Sequence, residues 1–302
     1  LETILNSLIF KKQMKRIEEE VLLALIKHNF IVKALHSSFD IVARKESQIL
    51  LIKVLEDANS ISEEYAREMQ RISSYIGGSP AVIAEKAAVK LDDNVVYSRF
   101  GIYTLNYNTF CSCIGNRMPF IMRDRAGLKA KIDPNVLKEK IEERGFSLTA
   151  LAKKLGVSRK MVQRYEGGKA DITINKARRM YDALGPSVFE KINIFSVANI
   201  SQAAEGKTDI TKKYSDLGFK AAETKKAPFD VIAKKEREII LTEIGDKTSP
   251  QLISLSKLID ADKLVIFKKK KPKEKDIPAL TKKEFMEFEK AKELVKFLKE
   301  FE

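Results

Sequence analysis

"FDIVARKESQILLIKVLED" (Phe39–Asp57) is followed 190 residues later by "FDVIAKKEREIILTEIGDK" (Phe229–Lys247), and the two stretches align without a gap. Seven positions are identical and most of the others are conservative. A repeat of this length sets the architecture of a chain. Each stretch has two apolar runs separated by a polar turn, which predicts a β-hairpin. The continuous β-branched and leucine runs indicate strands that are buried on both faces.

The segments that flank the two hairpins also correspond. Before each hairpin the sequence predicts a helix that leads into an edge strand, within residues 21–35 and within residues 212–223. After each hairpin it predicts another helix, which begins at a capping box of Ser60 and Glu63 in the first copy and at Ser249 in the second. A further strand follows each helix. The chain therefore predicts two related α/β domains around a central segment, and these two copies are expected to pack together as a pseudo-dimer.

The carboxyl-terminal end predicts one long helix. Thr281 and Glu284 have the spacing of a capping box at its start. An apolar stripe along this helix would pack into the core of the second copy, and a dimer interface is the alternative. The stripe consists of Phe285, Phe288, Leu294, Leu298 and Phe301.

The composition favours a polyanionic partner. The 302 residues include 56 Lys and Arg against 42 Asp and Glu, a formal net charge of +14. Nucleic acid is the commonest polyanion that such a protein binds, and a solvated basic surface is the alternative. Two cysteines and two histidines predict a cytoplasmic protein without a metal site. No apolar run has the length of a membrane-spanning helix, and no cofactor or small-molecule motif is visible.

The central segment, from Asp133 to Gly185, breaks the α/β pattern and predicts consecutive short helices. Ser147 is placed to cap the second of these helices, and Gly156 supplies the left-handed residue that ends it. Ser158 then caps the next helix. The last helix of the segment is predicted to run to Leu184 and to stop at Gly185. Its apolar residues are Ile174, Ala177, Met180, Tyr181 and Leu184.

The helix from Ser158 to Glu166 has two different faces. Met161, Val162 and Tyr165 form an apolar face that would pack on the preceding helix. The opposite face is basic and carries an amide. A helix fits the major groove of DNA, where Arg or Lys can bind guanine and Gln can bind adenine. Within the helix-turn-helix Leu148 to Gly167 and its flank, the predicted DNA-binding residues are Ser158, Arg159, Lys160, Gln163, Arg164 and Lys169. The alternative is a charged, solvated helix in a four-helix bundle.

The outer copies resemble the restriction-endonuclease-like fold of archaeal Holliday junction resolvases, in the order helix, strand, "FD" hairpin, helix and strand. In active members the resemblance implies a carboxylate at the start of the hairpin and an acid-x-lysine pair on the next strand, which bind Mg²⁺ and position water. Asp40 and Asp230 match the first carboxylate. The second copy matches the acid with Glu243, whereas the first copy has Lys53 at that position.

These departures weaken the case for a nuclease. An ammonium group where a ligand belongs repels a metal ion, so the first copy is predicted to be inactive. The second copy keeps two acids but has Gly245 at the lysine position. We favour the interpretation that Asp40 and Asp230 are strand-start or turn residues whose carboxylates cap local amides.

The central segment is similar to the DNA-binding domain of Cro and the phage repressors. The similarity covers Leu137–Gly185 and includes "LAKKLGVS" (Leu151–Ser158) and "YEGGK" (Tyr165–Lys169). It implies that Ser158, Arg159, Lys160 and Arg164 face DNA. A resolvase-like module, a short basic hairpin at residues 120–133 and this helix-turn-helix together resemble a group of archaeal transcription regulators.

The sequence thus predicts a fold class of duplicated α/β, restriction-endonuclease-like outer domains with a central all-α, lambda-repressor-like helix-turn-helix domain. The domain boundaries are expected at residues 1–119, 120–186 and 187–302. The predicted function is that of a sequence-specific regulator of transcription, without enzymatic activity or cofactor, which binds double-stranded DNA as a homodimer. A Mg²⁺-dependent, structure-selective nuclease using Asp230 and Glu243 is one alternative. A protein that binds RNA or the transcription machinery is another.

Overall fold

The structure, a computed structural model, describes residues 16–35, 37–124, 127–196, 206–246, 248–269, 271–272 and 277–301. Its residues form two compact units. One unit joins the chain up to Val82 with the chain from Phe195 onward, and the other consists of Ile83–Ile194. The hairpins of both copies therefore belong to one unit, whereas the helical central segment belongs to the other.

The first copy begins with helix α1, which is described from residue 16 to residue 27. The elements that follow are β1 (Ile31–Ala34), β2 (Ile41–Lys45), β3 (Gln48–Asp57), α2 (Glu63–Ile76), β4 (Ser79–Ala87), β5 (Val89–Lys90), β6 (Val95–Arg99), β7 (Ile102–Leu105) and α3 (Tyr107–Ile114). The capping box predicted at Ser60 is wrong, because Ser60 lies in a short 3₁₀ turn. Ser62 caps α2 instead, and its hydroxyl accepts a hydrogen bond from the Tyr65 amide at 3.3 Å.

The central segment contains the predicted hairpin and four helices. Its elements are β8 (Ile121–Asp124), β9 (Gly127–Ala130), α4 (Pro134–Glu143), α5 (Leu148–Leu155), α6 (Arg159–Glu166), β10 (Ile172–Thr173) and α7 (Ile174–Leu184). The hairpin is not an independent appendage, since β10 pairs with β9 and places Ile172 opposite Ala130. Both of these residues are buried in the same core as the helices.

The second copy repeats the order of the first from the opening helix to the strand after the hairpin's helix, β4 in the first copy and β14 in the second. It consists of α8 (Asp209–Asp216), β11 (Lys220–Glu223), β12 (Val231–Lys235), β13 (Glu238–Ile244), α9 (Pro250–Ile259), β14 (Asp262–Phe267), β15 (Ala279–Thr281), α10 (Lys282–Glu287) and α11 (Ala291–Lys299). The single long helix predicted from Thr281 is wrong. Its capping box is present, but Phe288 is extended and interrupts the helix. The interruption allows the Phe288 ring to pack on Phe297, with ring centroids 6.0 Å apart.

The hairpins of the two copies have identical registers. Ala43 lies opposite Leu50 in the first hairpin, and Ala233 lies opposite Ile240 in the second, as the 190-residue shift requires. In each copy the strand before the hairpin, β1 or β11, pairs antiparallel with the first hairpin strand. In the second copy β14 then pairs parallel with β13. The predicted duplication is therefore confirmed at the level of strand pairing.

The first and second copies contact each other directly, as the sequence analysis expected of a pseudo-dimer. The buried carboxylate of Glu68, on α2, accepts hydrogen bonds from the amides of Lys225 and Lys226 at 3.3 and 2.9 Å. Arg44, on β2, donates to the Leu258 carbonyl at 3.0 Å and pairs with Asp260 at the end of α9. In each copy, the helix that follows the hairpin thus packs against the other copy.

Replacement of Glu68 by alanine is expected to lower the free energy of unfolding by about 1–3 kcal/mol, because two backbone donors lose their acceptor in a buried place. Glu68→Gln keeps an acceptor oxygen and should recover most of the loss. Glu64→Ala is the control: Glu64 forms an exposed ion pair with Lys225, which is worth at most about 1 kcal/mol. Urea denaturation measures all three, and equal losses for Glu68→Ala and Glu64→Ala would contradict the assignment.

Candidate nucleic-acid interface

The α5–turn–α6 motif is shaped by side-chain caps and one glycine. Ser147 accepts a hydrogen bond from the Ala150 amide at 3.1 Å and begins α5. Gly156, with φ of 66°, ends α5 in the left-handed conformation that glycine adopts without strain. Ser158 then accepts a hydrogen bond from the Met161 amide at 3.2 Å and begins α6. These local signals confirm the predicted helix boundaries.

Helix α6 is attached to the core by its apolar face. Val162 and Tyr165 are buried, and Met161 packs against the same cluster as Leu151 and Leu155 of α5. Burial raises the pKa of the Tyr165 hydroxyl, and the nearby Arg164 charge opposes the rise. The apolar face therefore holds the opposite face of α6 at the surface.

The predicted DNA-binding side chains are all exposed, and the structure places them on α6, its cap and the turn that follows. They are Ser158, Arg159, Lys160, Gln163, Arg164 and Lys169. One guanidinium nitrogen of Arg164 donates to the Lys169 carbonyl at 3.3 Å, which ties the end of α6 to the next turn. Within the described part of the chain, no acidic side chain pairs with Arg159 or Lys160. Their positive charges are therefore available to a ligand.

Two basic residues of α7 support the turn, a role that the sequence analysis missed. Lys176 donates from Nζ to the Gly156 carbonyl at 2.7 Å, and Arg179 donates to the Leu155 carbonyl at 3.3 Å. These carbonyls lie at the end of α5, where helix carbonyls lack partners and attract cations. Tyr181, one of the apolar residues of α7, is 46% exposed.

In the first copy, the two positions that match the metal-binding carboxylates of active nucleases hold an ion pair between Asp40 and Lys53. Lys53 Nζ lies 2.8 Å from Asp40 Oδ1, and the Val54 amide donates to the other carboxylate oxygen at 2.8 Å. Both side chains are largely buried. A Mg²⁺ ion does not fit here, because the ammonium group already neutralises the carboxylate. Asp40 directly precedes β2, as expected of a strand-start residue, but the expectation that it caps local amides is wrong, because the Val54 amide is 14 positions away on the neighbouring strand.

The second copy holds its two carboxylates differently. Asp230 Oδ2 accepts a hydrogen bond from the Ile244 amide at 2.6 Å, whereas Glu243 Oε2 accepts one from the Ser249 amide at 2.9 Å. Burial raises the pKa of Glu243, the Ser249 hydrogen bond lowers it, and the Asp230 charge raises it further. Lys247, which follows the lysine position at Gly245 by two residues, lies outside the described residues. Among the residues described, no group of three or more His, Cys, Asp or Glu could hold a metal ion.

Comparison with known families yields two matches. The PD-(D/E)XK superfamily domain matches residues 14–119, and a helix-turn-helix domain matches residues 137–189. These matches confirm the predicted fold class, a restriction-endonuclease-like domain followed by a helix-turn-helix. No solved structure matches the chain. In the described part of the chain, none of the helices combines the length and the apolar character needed to cross a membrane.

Several curated archaeal proteins are similar over most of their length. Each carries the name "Putative HTH-type transcriptional regulatory protein". The protein of Methanocaldococcus jannaschii is 31% identical, over 90% of this chain and 92% of its own. That of Pyrococcus furiosus is 32% identical, over 83% and 82% respectively. The protein of Archaeoglobus fulgidus is 32% identical, over 87% and 89%.

Proposed function

Because the chain belongs to the family of archaeal helix-turn-helix-type transcriptional regulatory proteins, we propose that it regulates transcription by binding specific sequences of double-stranded DNA. The observation that carries the proposal is the solvent-facing surface of α6, where cationic and amide side chains stand on a helix whose other face is buried. A long flexible arm would lose more conformational entropy on binding than these anchored groups. The position of α6 is therefore fixed before it binds DNA.

Each side chain of this surface suits one class of DNA contact. Arg159, Lys160 and Arg164 would reach base edges in the major groove, where a guanidinium or ammonium group binds guanine N7 and O6. Gln163 would bind adenine. The Ser158 hydroxyl and the first amides of α6 would hold a phosphate, because helix amino termini bind anions. Lys169, in the turn after α6, would add a second phosphate contact.

The same proposal includes a homodimer, a domain organisation and a location. Two copies of a helix-turn-helix read half-sites that lie about 34 Å apart, one turn of the DNA helix. Residues 120–186 would form the DNA-binding domain, and residues 1–119 and 187–302 would form the scaffold on either side. The protein would act in the cytoplasm, on the chromosome.

Arg164→Ala is expected to cost about 1–3 kcal/mol at the specific site and to relax sequence choice, because the contact is to a base. Lys169→Ala should weaken binding to all DNA equally and reduce the slope of log affinity against log salt by about one unit. Arg144→Ala, an exposed arginine at the end of α4, is the control. Titrations of specific and random duplexes at several salt concentrations compare them. Equal losses on both duplexes for Arg164→Ala would argue against base reading.

We also propose that the chain is not a nuclease, although a PD-(D/E)XK domain makes that the second candidate. The position of the catalytic lysine holds Gly245, and the Asp230 and Glu243 carboxylates accept hydrogen bonds from the Ile244 and Ser249 amides. The set of groups that an active member uses is therefore incomplete. We therefore expect no cleavage of branched or linear DNA in Mg²⁺ or Mn²⁺. Cleavage by the intact chain that is abolished by Asp230→Asn would overturn this, and competition between RNA and duplex DNA would test the RNA-binding alternative.

A further inference from the structure

The first copy contains a complete binding site for an ammonium group, filled by its own lysine. Lys53 Nζ lies 2.8 Å from Asp40 Oδ1 and 3.3 Å from the Ser37 carbonyl oxygen. A carboxylate and a backbone carbonyl are the partners that a buried ammonium requires. The ring of Tyr65 lies near the same nitrogen, 5.6 Å from it. The site therefore shows which groups of this fold bind a primary ammonium.

The second copy has the same framework without the lysine. Asp230 and Ala227 correspond to Asp40 and Ser37 under the 190-residue shift. Asp230 Oδ2 accepts from the Ile244 amide in the same way that Asp40 Oδ2 accepts from the Val54 amide, so the two carboxylates have equivalent roles. Glu243 replaces the lysine and is bound to the Ser249 amide. Asp230 Oδ1 therefore has no cationic partner among the residues that the structure describes.

This carboxylate lines a cavity that carries charges of both signs. The cavity has a volume of about 390 Å³ and lies between the second hairpin and α2. Glu64, Glu68, Arg67 and Arg71 line it from α2. Arg71 donates a hydrogen bond to the Glu223 carbonyl at 2.8 Å, whereas Arg67 pairs, among the described residues, with Glu63 alone, in an exposed ion pair. The volume is within the range of small-molecule sites in proteins.

We propose that this cavity binds a small zwitterion of the amino acid class. The ammonium group of the ligand lies against Asp230 Oδ1, as the Lys53 ammonium lies against Asp40 Oδ1 in the first copy. The ligand carboxylate binds the guanidinium of Arg67. A solvent-accessible cavity that presents a carboxylate without a cationic partner, and a guanidinium held by an exposed ion pair alone among the described residues, favours a molecule that carries both opposite charges. A free metal cation is disfavoured by the guanidinium groups in the same walls.

The test uses the complete chain without DNA. The twenty amino acids are screened one at a time for a rise in Tm, and the affinity of each positive compound is measured by isothermal titration calorimetry. We expect at least one amino acid to raise Tm, whereas n-butylamine and butyrate, which each carry only one of the two charges, do not. Asp230→Asn and Arg67→Gln should each weaken the binding at least tenfold.

Asp40→Asn is the matched control, since it changes the equivalent carboxylate in the copy whose lysine already fills the site. It should leave the amino acid affinity unchanged in protein that circular dichroism shows to be folded. The proposal is overturned if no amino acid raises Tm, if butylamine binds as well as the amino acid does, or if Asp230→Asn binds normally. Because DNA is absent, each of these outcomes is independent of the proposed DNA-binding function.

Discussion

Replacement of Arg159, Lys160 and Arg164 together by alanine is expected to abolish sequence-specific DNA binding and leave the protein folded. If each side chain contacts a base, the loss is about 3–9 kcal/mol, which corresponds to at least roughly 100-fold in affinity. The stability should change by no more than about 0.5 kcal/mol, because all three side chains are exposed and, within the described ranges, Arg164 is the only one of the three with a hydrogen bond, to the Lys169 carbonyl.

The measurement pairs an equilibrium titration of a selected duplex with thermal unfolding of the same preparation. The selected duplex comes from random DNA bound by the unaltered protein. The control triple variant, Lys138→Ala with Lys153→Ala and Arg144→Ala, removes the same net charge from exposed positions on α4 and α5. A similar loss of affinity in both triple variants would show that binding depends on overall charge. It would also show that α6 does not read the DNA sequence.

Tyr214→Ala is expected to lower the free energy of unfolding of the unit that contains the second copy by about 3–5 kcal/mol. Tyr214, on α8, is fully buried and packs against Phe219 and Phe285, with ring centroids 5.7 and 5.0 Å away. Its hydroxyl forms a 2.7 Å hydrogen bond with the Thr242 hydroxyl inside the core. Burial also raises the pKa of Tyr214 well above its usual range.

Two variants separate packing from hydrogen bonding at this residue. Tyr214→Phe keeps the ring and loses the hydroxyl, so it should cost about 1–3 kcal/mol through the unsatisfied Thr242. Tyr181→Ala removes the tyrosine of α7 that is 46% exposed and should change stability little. Chemical denaturation followed by circular dichroism compares the three variants. If Tyr214→Ala cost no more than Tyr181→Ala, the core described around α8 would be incorrect.

Much of the architecture followed from local signals. The repeated hairpin, the caps at Ser147, Ser158 and Ser249 and the stop at Gly156 all depend on residues close together in sequence, and the structure confirms each of them. The same holds for the two faces of α6, because helical periodicity is fixed by neighbours three and four residues apart. The exposure of Arg159 and Lys160 was therefore predictable without a structure.

The errors and omissions came from contacts distant in sequence or from competing local choices. Ser62 rather than Ser60 caps α2, because residues 58–60 form a 3₁₀ turn that begins at Asp57. The break at Phe288 reflects its packing on Phe297, which helical periodicity alone does not reveal. The contacts that join the copies, such as that of Glu68 with the Lys226 amide, span 158 positions and have no local signature. The charged cavity at Asp230 depends on these contacts between the copies, so it could not be predicted from local sequence either.

The link between the two copies has a consequence for how the protein responds to dilution. Two separate chains that paired through Glu68 and Arg44 would come apart as their concentration fell, whereas here both partners belong to one polypeptide and one compact unit. Tethering makes such an association intramolecular, and its equilibrium no longer contains a concentration term. Any change of molecular mass on dilution would therefore report contacts between whole molecules, while the internal pair stays closed at any protein concentration.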